Sequence, residues 1–176
     1  MKRNMLKELE RKILPILKSN DVIKAGIFGS FAKNEEKAKM ALNDFVKECK
    51  KRFGKNLQSV VFFGSRVKGL AKEDSDFDIL MIIDKLPDIK QRFDLVSDIE
   101  TRIFEKYKIK ISTLLFEPEE IFGPINPLLF GVLTGYKVLF GMEKFKKNLE
   151  KAKVWIKKIN PIYIEGERKW RIKELI

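Results

Sequence analysis

Residues 60–83 read VVFFGSRVKGLAKEDSDFDILMII. An apolar run meets a Gly-Ser turn and a basic loop, then three aspartates at every second position, then a second apolar run. The flanking segments LQSVVFF (57–63) and FDILMII (77–83) have the unbroken apolar composition of buried strands. Two such strands, joined by so short a loop, belong to one sheet. That sheet must accommodate Asp74, Asp76 and Asp78, whose like charges repel, at the mouth of its second strand.

Side chains at i and i+2 of a strand point to one face, with their Cα atoms ~6.6 Å apart. Asp76 and Asp78 therefore share a face where the strand begins. Facing carboxylates raise each other's pKa unless a cation relieves them. Metal ions ~3.5–4 Å apart between such acids clamp the attacking and leaving oxygens of a phosphoryl group. The glycine turn supplies the complement. Gly64 has no Cβ, so backbone N–H groups can approach a phosphate, and Ser65 adds a hydroxyl donor. A helix starting there would favour an anion further. Arg66 and Lys68 add positive charge, and Gly69 permits a sharp return toward the aspartates.

Composition narrows the chemistry. The chain of 176 residues has no histidine, which excludes Ser-His-Asp and Cys-His catalysis and histidine-ligated metals. Any catalytic metal must then sit among oxygen ligands, which favours Mg2+ or Mn2+. The single cysteine, Cys49, excludes an internal disulfide. No apolar run approaches the roughly 20 residues of a membrane span, and the charged N-terminus is unlike a signal peptide, so a cytoplasmic location is expected. The net charge of +12 divides as +8 over 1–58, −3 over 59–122 and +7 over 123–176. Basic ends of this kind are either a solvated lysine surface or an attraction for a polyanion such as a nucleic acid.

Apolar spacing predicts helices over 4–18, 35–53, 88–106 and 143–158, and strands over 22–28, 57–63, 77–83 and 108–116. A short helical turn follows Pro118, and 126–141 begins as a helix. The tail is either a strand pair or a loosely held arm. Ala38, Ala41, Leu42, Phe45, Val46 and Cys49 form one helical stripe, and Phe62, Phe63, Phe77, Phe93, Phe104 and Phe116 read as core. Residues 23–35 echo 58–70, with Gly29-Ser30 falling on Gly64-Ser65. A degenerate repeat and a chance strand-turn-helix both fit that echo.

The order GSRxxG then SDxD, here Gly64-Ser65-Arg66-Val67-Lys68-Gly69 and Ser75-Asp76-Phe77-Asp78, resembles the DNA polymerase β superfamily of nucleotidyltransferases, and most of all its minimal members. The resemblance implies an α/β (α+β) fold: a short mixed β-sheet with helices packed on one side, plus a helical C-terminal segment. It divides the chain into a helix-strand extension (1–36), a nucleotidyltransferase core (37–122) and a basic helical segment (123–176). It implies transfer of a nucleoside monophosphate, AMP from ATP or its counterpart from another NTP, to an acceptor hydroxyl. Gly64, Ser65, Arg66, Gly69 and Ser75 would bind the nucleotide, and Asp76 and Asp78 would be catalytic and hold Mg2+ or Mn2+. The acceptor it suggests is a partner protein such as a HEPN-type toxin, which would make the chain an antitoxin.

One departure from the family pattern stands out. A third carboxylate usually lies on the next strand. Aligning Pro118-Glu119-Glu120 with the family's PEE puts Ser112 in its place; Glu117, five residues on, would face the opposite side of a regular strand, and Glu105 lies before the strand. A serine is a poor ligand for a hard cation and a poor base. The rival expectation is therefore a catalytically degenerate module of the same fold, binding nucleic acid or a partner protein through its basic ends.

Overall fold

The computed structural model describes residues 32–72, 74–124, 126–159, 161–164 and 169–171. The helix expected over 4–18, the strand over 22–28 and the Gly29-Ser30 echo lie outside the described residues.

In chain order the elements are α1 (Ala32–Phe53), β1 (Leu57–Phe63), β2 (Phe77–Ile83), α2 (Ile89–Arg92), α3 (Ser97–Tyr107), β3 (Ile111–Phe116), α4 (Pro118–Phe122), α5 (Pro127–Leu133), β4 (Tyr136–Phe140), α6 (Met142–Ile159), β5 (Ile162–Ile164) and β6 (Lys169–Arg171). Four strands form a mixed sheet in the order β3-β2-β1-β4. β1 is antiparallel to both β2 and β4, and β2 is parallel to β3. A parallel pair needs a crossover, which α2 and α3 provide. β5 and β6 form a separate antiparallel pair, so the strand-pair alternative for the tail holds.

The central strands are buried on both faces, which is why β1 and β2 show no apolar alternation. On one face Val60, Phe62, Phe77, Ile79 and Met81 pack against α1 and α3 through Phe45, Cys49, Ile99 and Ile103. The predicted α1 stripe is buried, with Val46 at its edge. Burial pushes the Cys49 thiol up to about 12, so it acts as a small apolar group rather than a nucleophile. On the other face Val61, Leu80 and Ile82 meet Ile121 and Phe122 of α4, Leu129 and Phe130 of α5, and Phe145, Leu149 and Ile156 of α6. Helices of the first half thus lie on one side of the sheet as expected, and the C-terminal helical segment covers the opposite side.

Two local readings change, and one segment gains an element. The helix predicted over 88–106 breaks into α2, a 3-10 turn at Phe93–Leu95 and α3. Arg52 of α1 donates to the Leu95 carbonyl at 2.8 Å, drawing that group out of the helical ladder at the break. The helical start expected of 126–141 is α5, and residues 136–140, for which the sequence predicts no element, form the edge strand β4. Phe93 and Phe104 are exposed rather than core, whereas Phe62 and Phe77 are buried. Trp155 donates its indole N–H to the Phe122 carbonyl at 2.7 Å and packs on Phe130, so it anchors α6 to α4.

Arg52 also clamps α1 to α3 by a two-pronged bond to Asp98, whose second prong is 2.6 Å long. Hydrogen bonds from Arg52 and then Arg102 hold the Asp98 carboxyl well below the usual carboxylate range. A carboxyl depressed in the folded state stabilises above its unfolded pKa and loses that contribution as pH falls through its folded value. Below a pH of about 4, thermal melting of the wild-type chain should therefore fall more steeply than that of Asp98→Asn. Parallel falls would show that the clamp does nothing for stability.

Candidate functional site

The site lies where the second core runs out. Ile82 and Leu80 of β2 are fully covered, and Asp78 is the next residue on that face. Beside it on the parallel neighbour β3, Ser112 pairs with Asp78 and Leu114 with Leu80. Ser112 and Leu114 are both exposed, so this corner of the sheet opens to solvent.

The antiparallel register sets Phe63 opposite Asp78, which brings the residue after Phe63 against the carboxylate. That residue is Gly64, with φ +87. A Cβ there would sit 2.0 Å from Asp78 Oδ2 and 2.9 Å from its Cγ. The Asp78 carboxylate thus fills the space that a side chain at 64 would take. Burial, and then the charge of Asp76, raise the Asp78 pKa, while Arg66 and Lys68 pull it down. Asp76 lies one residue before β2, so the pair shares a side of the extended backbone. The Asp76 Oδ2 is 3.1 Å from the Lys110 Nζ, and Lys110 sits just before β3.

The loop from Gly64 folds back as a series of turns rather than a helix. Leu70 N donates to Ser65 O at 2.9 Å, and Gly69, at φ +71, turns the chain. Any anion held here would meet turn amides and not a helix terminus. Arg66 donates from Nε to the Ser75 carbonyl at 2.8 Å and lays its guanidinium 4.4 Å over the Phe77 ring. Ser75 Oγ in turn accepts from Lys72 N at 2.9 Å. Arg66 and Ser75 thereby fix the path of the loop into the aspartates. The Lys68 stem crosses Gly135, where a Cβ would be 2.9 Å from its Cγ. Burial lowers the Lys68 pKa, against a pull upward from Asp78.

The seven residues singled out in the sequence divide by place. Gly64, Asp78 and Asp76 lie together, with Ser65 next along the chain from Gly64. Arg66, Gly69 and Ser75 shape the loop between them. Asp74 is exposed in the turn before Ser75 and outside this arrangement. Lys110 was missed, though its position two residues before Ser112 on an extended segment was a usable signal. A shallow depression on α1, lined by Asn43, Val46, Lys47, Lys50 and Lys51, shares no residue with the site.

The family described as "Polymerase beta, Nucleotidyltransferase" matches residues 43–122, which contain all of these groups. A Methanocaldococcus jannaschii protein named "putative protein adenylyltransferase" is 43% identical over 140 residues, covering 77% of this chain and 94% of its own length. The chain belongs to the polymerase beta superfamily of nucleotidyltransferases, among its minimal members. A Thermococcus cleftensis protein named "Protein adenylyltransferase MntA" is 37% identical over 65 residues, covering 37% of this chain and 64% of its own length. Among solved structures, one described as "Crystal structure of the toxin-antitoxin with AMP-PNP" matches at 18% identity and a TM-score of 0.45, over 66% of this chain and 90% of that one.

The glycine turn and the acid pair stand together, and the structure shows where other acids are used. Glu117 accepts from Leu86 N at 2.7 Å and caps α4. Glu120 is held by Arg92 at 2.7 and 2.8 Å. Glu105 is exposed on α3. Burial holds Glu100 of α3 up in pKa, and α3 packs on the opposite core. Among the described residues no group of three or more His, Cys, Asp or Glu could hold a metal.

Alanine at 64 would meet the Asp78 carboxylate and a left-handed backbone at once. Gly64→Ala should cost about 1–3 kcal/mol of stability and displace Asp78. Calorimetry should show a lower Tm. An unchanged Tm would mean that the close approach is not required.

Proposed function

We propose that this nucleotidyltransferase moves the AMP of ATP onto a hydroxyl of a partner protein, using Asp76 and Asp78 with a divalent cation. The observation that carries the reading is the seating of the Asp78 carboxylate in the space left open by Gly64, beside Asp76 and at an open corner of the sheet. The protein acceptor is suggested by the adenylyltransferase names of relatives that match at 43% and 37% identity. A HEPN-type toxin is the acceptor that the family resemblance brings forward.

The acid pair suits a hard cation. Both ligands are carboxylates, and burial together with the Asp76 charge disfavours an ionised Asp78, a strain that a cation would relieve. Mg2+ or Mn2+ takes one or two carboxylates and completes its shell with water and substrate phosphates, so two acids suffice. Asp76 and Asp78 would hold such an ion, which would supply charge neutralisation for the phosphates and polarise the oxygens of the α-phosphate.

The chain's own groups do the rest by position. Turn amides after Gly64, with the Ser65 hydroxyl, would hold the β- and γ-phosphates, and Lys68 would add charge beside them. Arg66 and Ser75 keep the loop in place. The acceptor oxygen attacks the α-phosphorus, the bond from that phosphorus to the bridging oxygen of the β-phosphate breaks, and pyrophosphate leaves with that oxygen. The acceptor proton is released. The exposed strip of Ser112 and Leu114 leaves room for a protein surface to bring its hydroxyl in.

Incubation with α-labelled ATP, Mg2+ and a cell lysate should transfer label to a protein band, with an AMP adduct by mass spectrometry. Asp76→Asn together with Asp78→Asn should lower labelling by ~100-fold or more. Equal labelling by the double variant would refute the assignment.

A further inference from the structure

We propose that Lys110 serves as the second cation of this site, so that the enzyme holds one divalent ion per bound nucleotide where a third carboxylate would recruit two. The inference rests on the reading of Asp76 and Asp78 as metal ligands.

The register carries it. β2 and β3 run parallel with Phe77 beside Ile111 and Asp78 beside Ser112. Phe77 N donates to the Lys110 carbonyl at 2.9 Å, which sets Lys110 beside Asp76. The two positions of the neighbouring segment that flank the acid pair are therefore a lysine and a serine. The Lys110 ammonium is already 3.1 Å from Asp76 Oδ2. No third acid joins the pair among the described residues.

Charge decides the stoichiometry. Two divalent ions a few ångströms apart repel strongly and are held together by converging carboxylates and phosphates. Among the described residues only Asp76 and Asp78 come together as acids here, and Arg66 and Lys68 already act on Asp78 while Lys110 pairs with Asp76. One divalent ion plus three positive side chains supplies the charge that a triphosphate needs. The Lys110 side chain is 71% exposed. An ion pair so exposed adds little to stability, and its long stem lets the ammonium turn from Asp76 toward a phosphate or the acceptor oxygen.

Equilibrium dialysis with Mn2+ and a saturating non-hydrolysable ATP analogue counts the bound ions, and spin-spin broadening in the EPR spectrum reports a close pair. The wild-type chain should retain one Mn2+ per bound nucleotide, without broadening. Lys110→Gln should leave Tm unchanged, still retain one, and bind the analogue about tenfold more weakly, because a phosphate-facing cation is lost. Lys110→Gln with Ser112→Asp should retain two, with broadening. Two ions in the wild-type chain, unaltered nucleotide affinity in Lys110→Gln, or a single ion in the double variant would each overturn the proposal. If instead Asp76→Asn with Asp78→Asn binds Mn2+ and the analogue as the wild type does, the underlying reading of the acid pair fails, and this one with it.

Discussion

The contact between Gly64 and the Asp78 carboxylate organises the rest of the site. It exists because β1 and β2 are antiparallel with Phe63 opposite Asp78, so the first residue of the turn falls directly on the acid. Only a residue without Cβ fits there, and the same absence leaves the turn's amides open to an anion. The strand pairing thus brings the glycine turn and the acid proposed to hold a cation to one spot without a specialised loop. Its cost is a half-buried carboxylate pushed toward neutrality, a strain that a cation would remove.

The fold isolates that cost. Ile79 and Met81 face one core and Leu80 and Ile82 the other, so the strand carrying Asp78 is gripped on both sides right up to the acid. Cover from α4, α5 and α6 stops short of Ser112 and Leu114, and the site is consequently open on the β3 side. Arg66 contributes by holding the returning arm of the loop between the Ser75 carbonyl and the Phe77 ring.

How much of this the sequence disclosed follows from how local each feature is. β1 and β2 were legible because their apolar runs are nearly continuous, β3 because it is short and rich in β-branched and apolar residues, and α1 because its stripe keeps a helical period. The acid pair was legible from i, i+2 spacing, and the placement of Ser112 beside Asp78 from alignment. The break between α2 and α3 was not, since it follows from a tertiary bond, Arg52 to Leu95. β4 was hidden because its five residues become a strand by pairing with β1, far away in the chain. Phe93 and Phe104 misled because composition does not say which side of a helix faces the core. Lys110 escaped notice for the same reason as β4: its partner, Asp76, lies across a crossover and is fixed only by parallel register.

The claim beneath all of this is that Gly64 and the two aspartates form one nucleotide-metal site. A crystal of the full chain grown with a non-hydrolysable ATP analogue and Mn2+ tests it most directly. The account predicts an anomalous manganese peak bridging the carboxylates of Asp76 and Asp78, with phosphate oxygens on the Gly64-Ser65 amides. A nucleotide bound elsewhere, or a well-ordered Asp78 turned away from Gly64 with manganese absent, would contradict it.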